Sequence, residues 1–164
     1  MRNQLIYQLY LYQIFGMQLD NPTQTVLYTI EQAIKEYRKF CQKNISDIIH
    51  SITVDQVLVL LALNNNPELS QHKIAAVVFK DNASITRMIE LMVRNNFIKR
   101  TINKDDRRKY NLQITPHGRQ VMTQLTPVIT YNRSTALKGF TKTEIQQLDS
   151  LLTRIITNCK NQKK

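Results

Sequence analysis

Residues 70–118 of the chain read SQHKIAAVVFKDNASITRMIELMVRNNFIKRTINKDDRRKYNLQITPHG, and this stretch decides the fold. Ser70, with apolar residues on either side, is typical of a helix N-cap. A second helix is predicted from Asn82, because its apolar residues recur at the spacing of one helical face: Ile85, Met88, Ile89, Met92 and Val93. It ends at Asn95 and Asn96, since asparagine readily takes the left-handed conformation that follows a helix.

A two-stranded hairpin is predicted next. Ile98 and Ile102 alternate with charged residues in the first strand, residues 103–108 form a polar tip, and three apolar side chains alternate on one face of the second strand: Tyr110, Leu112 and Ile114. Thr115 and Pro116 then supply an N-cap and a proline at the first helical position, so another helix begins there. Two short helices followed by a hairpin are typical of a winged helix-turn-helix.

Positive charge is concentrated in this stretch. Residues 73–109 contain ten Lys/Arg and four Asp/Glu, a local net charge of +6 within a chain of net charge +11 at pH 7. A second helix with small polar and basic residues facing outward fits the DNA major groove. Phosphates are therefore a better counter-charge than a membrane surface, since the basic residues do not lie on one long amphipathic helix.

Length and composition limit the classes of protein. A chain of 164 residues is one ordinary domain, and its three glycines argue against a glycine-rich phosphate loop. The two cysteines, Cys41 and Cys159, lie far apart and exclude a disulfide framework, which suits a reducing cytoplasm.

Several residues of the stretch resemble a known family. The wing residues resemble the Asp-x-Arg and Leu-Thr-x-x-Gly signature of MarR-type transcriptional regulators, with Ile114 where leucine is usual: Asp106, Arg107, Arg108, Leu112, Ile114, Thr115 and Gly118. Residues 82–89 resemble the recognition helix of that family. Asn96 stands where the family has glycine, and asparagine preserves the turn. The resemblance covers roughly residues 21–159.

The predicted fold class is mainly α, a winged helix-turn-helix with a three-helix core, a two-stranded β-wing, and long N- and C-terminal dimerisation helices. Residues 46–115 form the winged helix-turn-helix DNA-binding domain, residues 21–45 and 116–164 form the helical dimerisation region, and residues 1–20 are an N-terminal extension. The extension is too short and too polar to span a bilayer. Either it packs on the dimer as an amphipathic segment, or translation begins at Met17.

Local signals place the other helix ends. Asn21 and Pro22 predict the start of the first long helix. Capping boxes open two further helices, at residues 53–56 and 141–144. Pro127 is predicted to kink or split the helix that begins after Thr115.

The first and last long helices carry wider apolar stripes than a small winged domain covers, which predicts a partner surface. In the resembled family these helices interlock in a homodimer. The predicted dimerisation residues are Leu27, Ile30, Ile34, Ile145, Leu148, Leu152 and Ile155. Packing of the two helices on each other within one chain is the alternative, and both arrangements can hold together.

The DNA-binding residues implied by the pattern and the resemblance are Ser70, Gln71, Asn82, Ala83, Ser84, Thr86, Arg87, Lys104, Asp106, Arg107 and Arg108. Arg87 would contact guanine or only a phosphate. Arg108 would enter the minor groove with Asp106 orienting it, a role that the resemblance favours over a salt bridge within the hairpin.

The resulting hypothesis is a cytoplasmic homodimeric repressor that binds a pseudo-palindromic operator in double-stranded DNA and is released by an unidentified small-molecule effector. One alternative is a redox regulator that uses Cys41, although its place on an apolar stripe favours a buried structural cysteine, as it does for Cys159. The other is a protein-interaction module without DNA binding. The three histidines show no metal-ligand spacing and no nucleophile motif occurs, so no metal, cofactor, enzymatic activity or membrane partner is expected.

Overall fold

A computed structural model describes residues 6, 22–102 and 110–161 of the chain. The described elements are α1 (Val26–Ser46), α2 (Val54–Asn65), α3 (Gln71–Val77), α4 (Asn82–Arg94), β1 (Ile98–Ile102), β2 (Tyr110–Ile114), α5 (Pro116–Ala136) and α6 (Lys142–Lys160). The mainly helical fold with a two-stranded sheet confirms the predicted fold class. The chain divides into two compact units, residues 1–43 and residues 44–164.

Helix α1 begins later than the sequence predicts. Residues Pro22–Gln24 form a short 3-10 helix, and the α-helix begins at Val26. The hydroxyl oxygen of Thr25 accepts the backbone N–H of Tyr28 at 3.1 Å, so Thr25 satisfies a donor that the first turn leaves free. The helical conformation therefore begins at Pro22, as predicted, but as a 3-10 turn, and the α-helix starts four residues later; Asn21 lies outside the described residues.

The core of the second unit lies where α2, α3 and α4 pack with the wing and with α5. Its fully buried side chains include Ile52, Leu60, Leu63, Ile74, Ile85, Ile89, Met92, Phe97, Ile98 and Leu125. The apolar stripe that predicted α4 accounts for Ile85, Ile89 and Met92. Burial of these side chains stabilises the arrangement by roughly 1.5–3 kcal/mol each.

Both predicted capping boxes are present. The Thr53 hydroxyl accepts the N–H of Gln56 at 3.3 Å, and the Gln56 side chain accepts the N–H of Thr53 at 2.9 Å. The corresponding distances between Thr141 and Glu144 are 3.2 Å and 2.7 Å. Helices α2 and α6 therefore begin where the sequence predicts.

The turn between α3 and α4 depends on a residue with positive φ. Phe79 has a φ of 55°, and the N–H of Lys80 bonds to the carbonyl of Ala75 at 2.9 Å, which closes the end of α3. The Phe79 side chain is 90% exposed, so the core does not compensate this conformation. Helix α4 then begins at Asn82, as predicted.

The wing has a defined antiparallel register, with Ile98 opposite Ile114 and Ile102 opposite Tyr110. Asn96 precedes it with a φ of 57°, which confirms the left-handed conformation predicted after α4. The predicted polar tip, residues 103–108, lies outside the described residues.

The wing is joined to α5 at a tight junction. The N–H of Thr115 donates to the Phe97 carbonyl at 3.1 Å, and the Thr115 hydroxyl oxygen accepts the N–H of Gly118 at 2.9 Å. The Thr115 hydroxyl also donates to the Asn96 carbonyl. A Cβ at Gly118 would stand 2.0 Å from the Phe97 carbonyl oxygen, so only glycine permits this approach.

Helix α5 runs unbroken through Pro127, so the predicted split is absent. Pro127 itself is exposed. The hydroxyls of Thr126 and Thr130 donate to the carbonyls of Met122 and Thr126 at 2.8 Å and 3.0 Å. Side-chain bonds to carbonyls four residues earlier thus span the turn where the proline removes a backbone donor.

Helix α6 has no buried residue in the single chain. The prediction that Cys159 is buried is therefore wrong, because its helix face is not covered. Cys41 is 6% exposed, as predicted.

The glycine at the junction gives a stability prediction. Gly118→Ala should lower the free energy of unfolding by about 3 kcal/mol, because the new methyl group meets a backbone carbonyl that cannot rotate away. Gly139→Ala is the matched control: Gly139 has a φ of 88° but nothing within 4 Å, so we expect a loss of only about 1 kcal/mol. Urea unfolding of both variants measures the difference, and equal losses would contradict the steric explanation.

Candidate nucleic-acid interface

The outward face of α4 carries most of the predicted base-reading residues. Asn82, Ala83 and Arg87 are exposed, whereas Ser84 and Thr86 are half-buried. The guanidinium of Arg87 forms no hydrogen bond or ion pair with the described part of the chain. A ligand can therefore reach this arginine without breaking a contact to any described residue.

Asp81 caps α4 and was not among the predicted site residues. Its Oδ1 accepts the N–H of Ser84 at 2.7 Å, and its Oδ2 accepts the Ser84 hydroxyl at 2.9 Å. The backbone and side-chain hydrogen bonds from Ser84 hold the pKa of Asp81 below its ordinary value. The signal in the sequence was an aspartate directly before the first predicted helical residue.

Two predicted DNA contacts meet each other instead of standing apart. The side-chain amide of Gln71 on α3 donates to the Thr86 hydroxyl on α4 at 2.7 Å. The Thr86 hydroxyl in turn donates to the Asn82 carbonyl at 2.8 Å. This hydrogen bond couples the two helices of the helix-turn-helix near their N-terminal ends.

Ser70 is the N-cap of α3, the plainer of the two roles foreseen for it. Its hydroxyl oxygen accepts the N–H of Lys73 at 3.4 Å, a long bond, and its side chain is exposed. Lys73 is exposed on the same short helix. The two roles of Ser70 are compatible, because the outer surface of the hydroxyl stays open to solvent.

The stem of the wing contains a cation–π pair that the alternation pattern did not reveal. The Arg100 guanidinium carbon lies 3.5 Å from the centroid of the Tyr110 ring, on the face that both residues share across the hairpin. Such a contact contributes about 0.5–2 kcal/mol. The Arg100 Nε is buried and has no hydrogen-bond partner among the described residues.

An open cleft of about 580 Å³ lies between the start of α3, the start of α4 and the stem of the wing. Its lining brings together three predicted site residues, Ser70, Gln71 and Asn82, with Arg100 and Tyr110. The four predicted site residues of the wing tip lie outside the described residues: Lys104, Asp106, Arg107 and Arg108. The cleft thus brings described site residues of α3 and α4 next to the stem of the wing, on a mixed lining that also includes Glu68, Leu69 and Leu112.

The described residues contain neither a metal-binding cluster nor a membrane-spanning helix. In the part of the chain that the structure describes, no three His, Cys, Asp or Glu side chains group so that they could hold a metal ion. Across residues 22–102 and 110–161, no helix combines the length and the hydropathy that crossing a bilayer requires.

Comparison with known proteins identifies what this arrangement is similar to. The model of the MarR family matches residues 52–110. The HTH-type transcriptional regulator SarZ of Staphylococcus aureus is 21% identical over 131 residues, which cover 80% of this chain and 78% of SarZ.

Solved structures give the same result for the fold. A mutant of MarR from E. coli, complexed with operator DNA, superposes with a TM-score of 0.75 at 20% identity, covering 84% of this chain and 98% of that one. BpsR of Bordetella bronchiseptica, whose DNA binding is regulated by 6-hydroxynicotinic acid, superposes with a TM-score of 0.74 at 21% identity, covering 84% and 97%.

The bond between α3 and α4 gives a second stability prediction. Thr86→Val keeps the β-branched shape but leaves the Gln71 amide without its acceptor, so the free energy of unfolding should fall by about 1–2 kcal/mol. Thr130→Val is the matched control, because Thr130 is exposed and its hydroxyl bonds only within α5. Its effect in the same urea titration should stay within about 0.5 kcal/mol. Equal effects would show that the bond between α3 and α4 contributes nothing.

Proposed function

We propose that the chain is a member of the MarR family and acts as a homodimeric transcriptional repressor that binds a pseudo-palindromic operator in double-stranded DNA. The observation that carries the proposal is the outward face of α4. Asn82, Ala83 and Arg87 are exposed there, on a helix whose opposite face is anchored in the core. An α-helix presented in this way enters the major groove.

Base recognition on this face depends first on Arg87. A guanidinium donates two parallel hydrogen bonds to O6 and N7 of guanine, an arrangement that no other base offers in the major groove. Because Arg87 has no internal partner in the described chain, binding costs it no existing contact. We therefore assign guanine recognition to Arg87.

Affinity that does not depend on sequence comes from the phosphates. The net charge of +11 favours a polyanion, and Lys73 on α3 and Lys99 on β1 are exposed. Ser70 and Gln71, at the start of α3, are placed to donate to phosphate oxygens. In the wing, we assign phosphate contacts to Lys104 and Arg107, and minor-groove insertion to Arg108 oriented by Asp106, from the family resemblance alone.

The dimer is supported by apolar residues that the single chain leaves uncovered. In α1, Leu27 and Ile34 are each 52% exposed and Ile30 is half-buried. In α6, Leu148 is 42% exposed, and the remaining predicted dimerisation residues are half-buried: Ile145, Leu152 and Ile155. A second copy would cover these residues. The two α4 helices of the resulting dimer would then contact half-sites about 34 Å apart, one turn of duplex.

We further propose that a small-molecule effector in the cytoplasm releases the protein from DNA. The DNA binding of BpsR, which is similar in fold, is regulated by 6-hydroxynicotinic acid, and this supports the existence of an effector. Cys41 does not favour the redox alternative, because its thiol is 6% exposed and a reactive thiol must be accessible. The similar proteins are transcriptional regulators, which supports a role in binding and not in catalysis.

Replacing Arg87 tests base recognition. Arg87→Ala should cost about 1–3 kcal/mol on the best operator and relax the preference at one position in each half-site. Arg94→Ala removes the same charge from the other end of α4 and should weaken operator and scrambled DNA equally. Fluorescence anisotropy on both duplexes over a salt series measures these effects. Equal losses for Arg87→Ala on the two duplexes would reduce its role to a phosphate contact.

A third substitution tests the dimer. Leu148→Asp should convert a dimer to a monomer in sedimentation at micromolar concentration, because it places a charge in the proposed interface while the fold of the single chain does not need this side chain buried. Ser150→Asp introduces the same charge at an exposed position of α6 that faces away from the apolar stripe and should leave the dimer intact. A Leu148→Asp variant that sediments as the wild type does would remove the argument for this interface.

A further inference from the structure

The first turns of α4 contain two hydroxyl groups whose protons are already committed inside the protein. A serine or threonine hydroxyl has one proton and two lone pairs, so it normally adjusts to a base that donates or to a base that accepts. Where the proton is fixed by an internal partner, only the lone pairs remain for a ligand. The partners of Ser84 and Thr86 therefore determine what each can recognise.

The proton of Ser84 is held by Asp81. The Ser84 hydroxyl lies 2.9 Å from Oδ2 of Asp81, while Oδ1 takes the backbone N–H of the same serine at 2.7 Å. An ionised carboxylate can only accept, so the direction of the hydroxyl bond is forced. The hydrogen bonds from Ser84 lower the pKa of Asp81, which keeps the carboxylate ionised at neutral pH.

The proton of Thr86 is committed in the same way. Its hydroxyl lies 2.8 Å from the carbonyl of Asn82, which can only accept, and one of its lone pairs takes the Gln71 amide at 2.7 Å. Thr86 therefore has no donor for a base, and its function is to hold α3 against α4.

We propose that Ser84 recognises DNA solely as a hydrogen-bond acceptor and selects a base that presents an exocyclic amine in the major groove, N6 of adenine or N4 of cytosine. The proposal rests on the DNA-binding function proposed above. Asp81 is the positioning residue, since it removes the choice that a free serine would have. Arg87 stands three residues later on the same helical face and offers only donors, so each half-site combines an amine-bearing base with a nearby guanine.

This assignment predicts the orientation of one base pair. Both Watson–Crick pairs carry one exocyclic amine in the major groove, on adenine or on cytosine, and an acceptor on the opposite base. Exchanging the two bases of the pair between strands moves the amine away from Ser84 and puts an acceptor in its place. Wild-type protein should therefore discriminate against the exchanged pair by about five- to tenfold, the effect of one hydrogen bond.

The decisive variant is Asp81→Asn. The shape of the side chain and its cap on the Ser84 N–H are kept, but the amide now donates to the Ser84 hydroxyl and frees its proton for the groove. The freed hydroxyl has a proton and one remaining lone pair, so the preference at this one pair should be lost, while the preference at the guanine bound by Arg87 stays. Removing a negative charge also raises affinity for every duplex, so the readout is the ratio of affinities for the two orientations of the pair.

Ser84→Ala provides the control. It should abolish the preference at this pair, and adding Asp81→Asn to Ser84→Ala should then change nothing at that position.

A second experiment leaves Asp81 unchanged and alters the operator: its adenine is replaced by unsubstituted purine, or its cytosine lacks the 4-amino group. Wild type should bind this amine-free operator about five- to tenfold more weakly than the natural one, whereas Ser84→Ala should bind both equally well.

The outcomes separate the two proposals. If wild type selects an operator from a random duplex library but Asp81→Asn leaves every preference unchanged and the amine-free operator binds equally well, the acceptor role of Ser84 is overturned and DNA binding stands. If wild type shows no preference between selected and scrambled duplexes, the proposed function itself fails. If Asp81→Asn loses helicity by circular dichroism, the affinities of wild type and Ser84→Ala for the amine-free operator decide whether Ser84 acts as an acceptor.

Discussion

The close approach of α5 to the backbone of Phe97 is the constraint on which the winged unit depends. The carbonyl of Phe97 takes the N–H of Thr115, and the missing Cβ of Gly118 leaves room for that carbonyl. Because the last residue of β2 leads directly into Thr115, this junction fixes the strand that returns from the wing. Phe97 is also fully buried beneath the end of α4, so one residue ties wing, α4 and α5 together.

The junction at Phe97 and one polar contact make the surface formed by α3, α4 and the wing rigid. The core anchors the inner face of α4, and the bond from Gln71 to Thr86 fixes the starts of α3 and α4 relative to each other. The Arg100–Tyr110 pair stiffens the stem of the wing on the other side of the cleft. Side chains held on rigid elements lose little conformational entropy on binding, so less of the interaction energy is spent on ordering them.

Local sequence signals predicted the structure correctly where no other signal competed with them. The capping boxes at Thr53 and Thr141 and the left-handed turn at Asn96 depend on residues within four positions of each other, and each was predicted correctly. Errors arose where local signals compete: Thr25 caps the first turn of α1, after the residues expected to open it, and α5 continues through Pro127. In the site, sequence could place Gln71 and Thr86 on the right surface, but only three-dimensional contact shows that they bond to each other.

The absence of any buried residue in α6 has a consequence for the kinetics of assembly. Without tertiary contacts that bury its side chains, this 19-residue helix depends on local terms, chiefly the box of Thr141 and Glu144 and the bonds within its own backbone. Those terms operate in the isolated chain, before a partner arrives. Because a helix with little tertiary packing is only marginally stable in water, the ordering of α6 would be completed as two copies associate, and the association rate would include that ordering step.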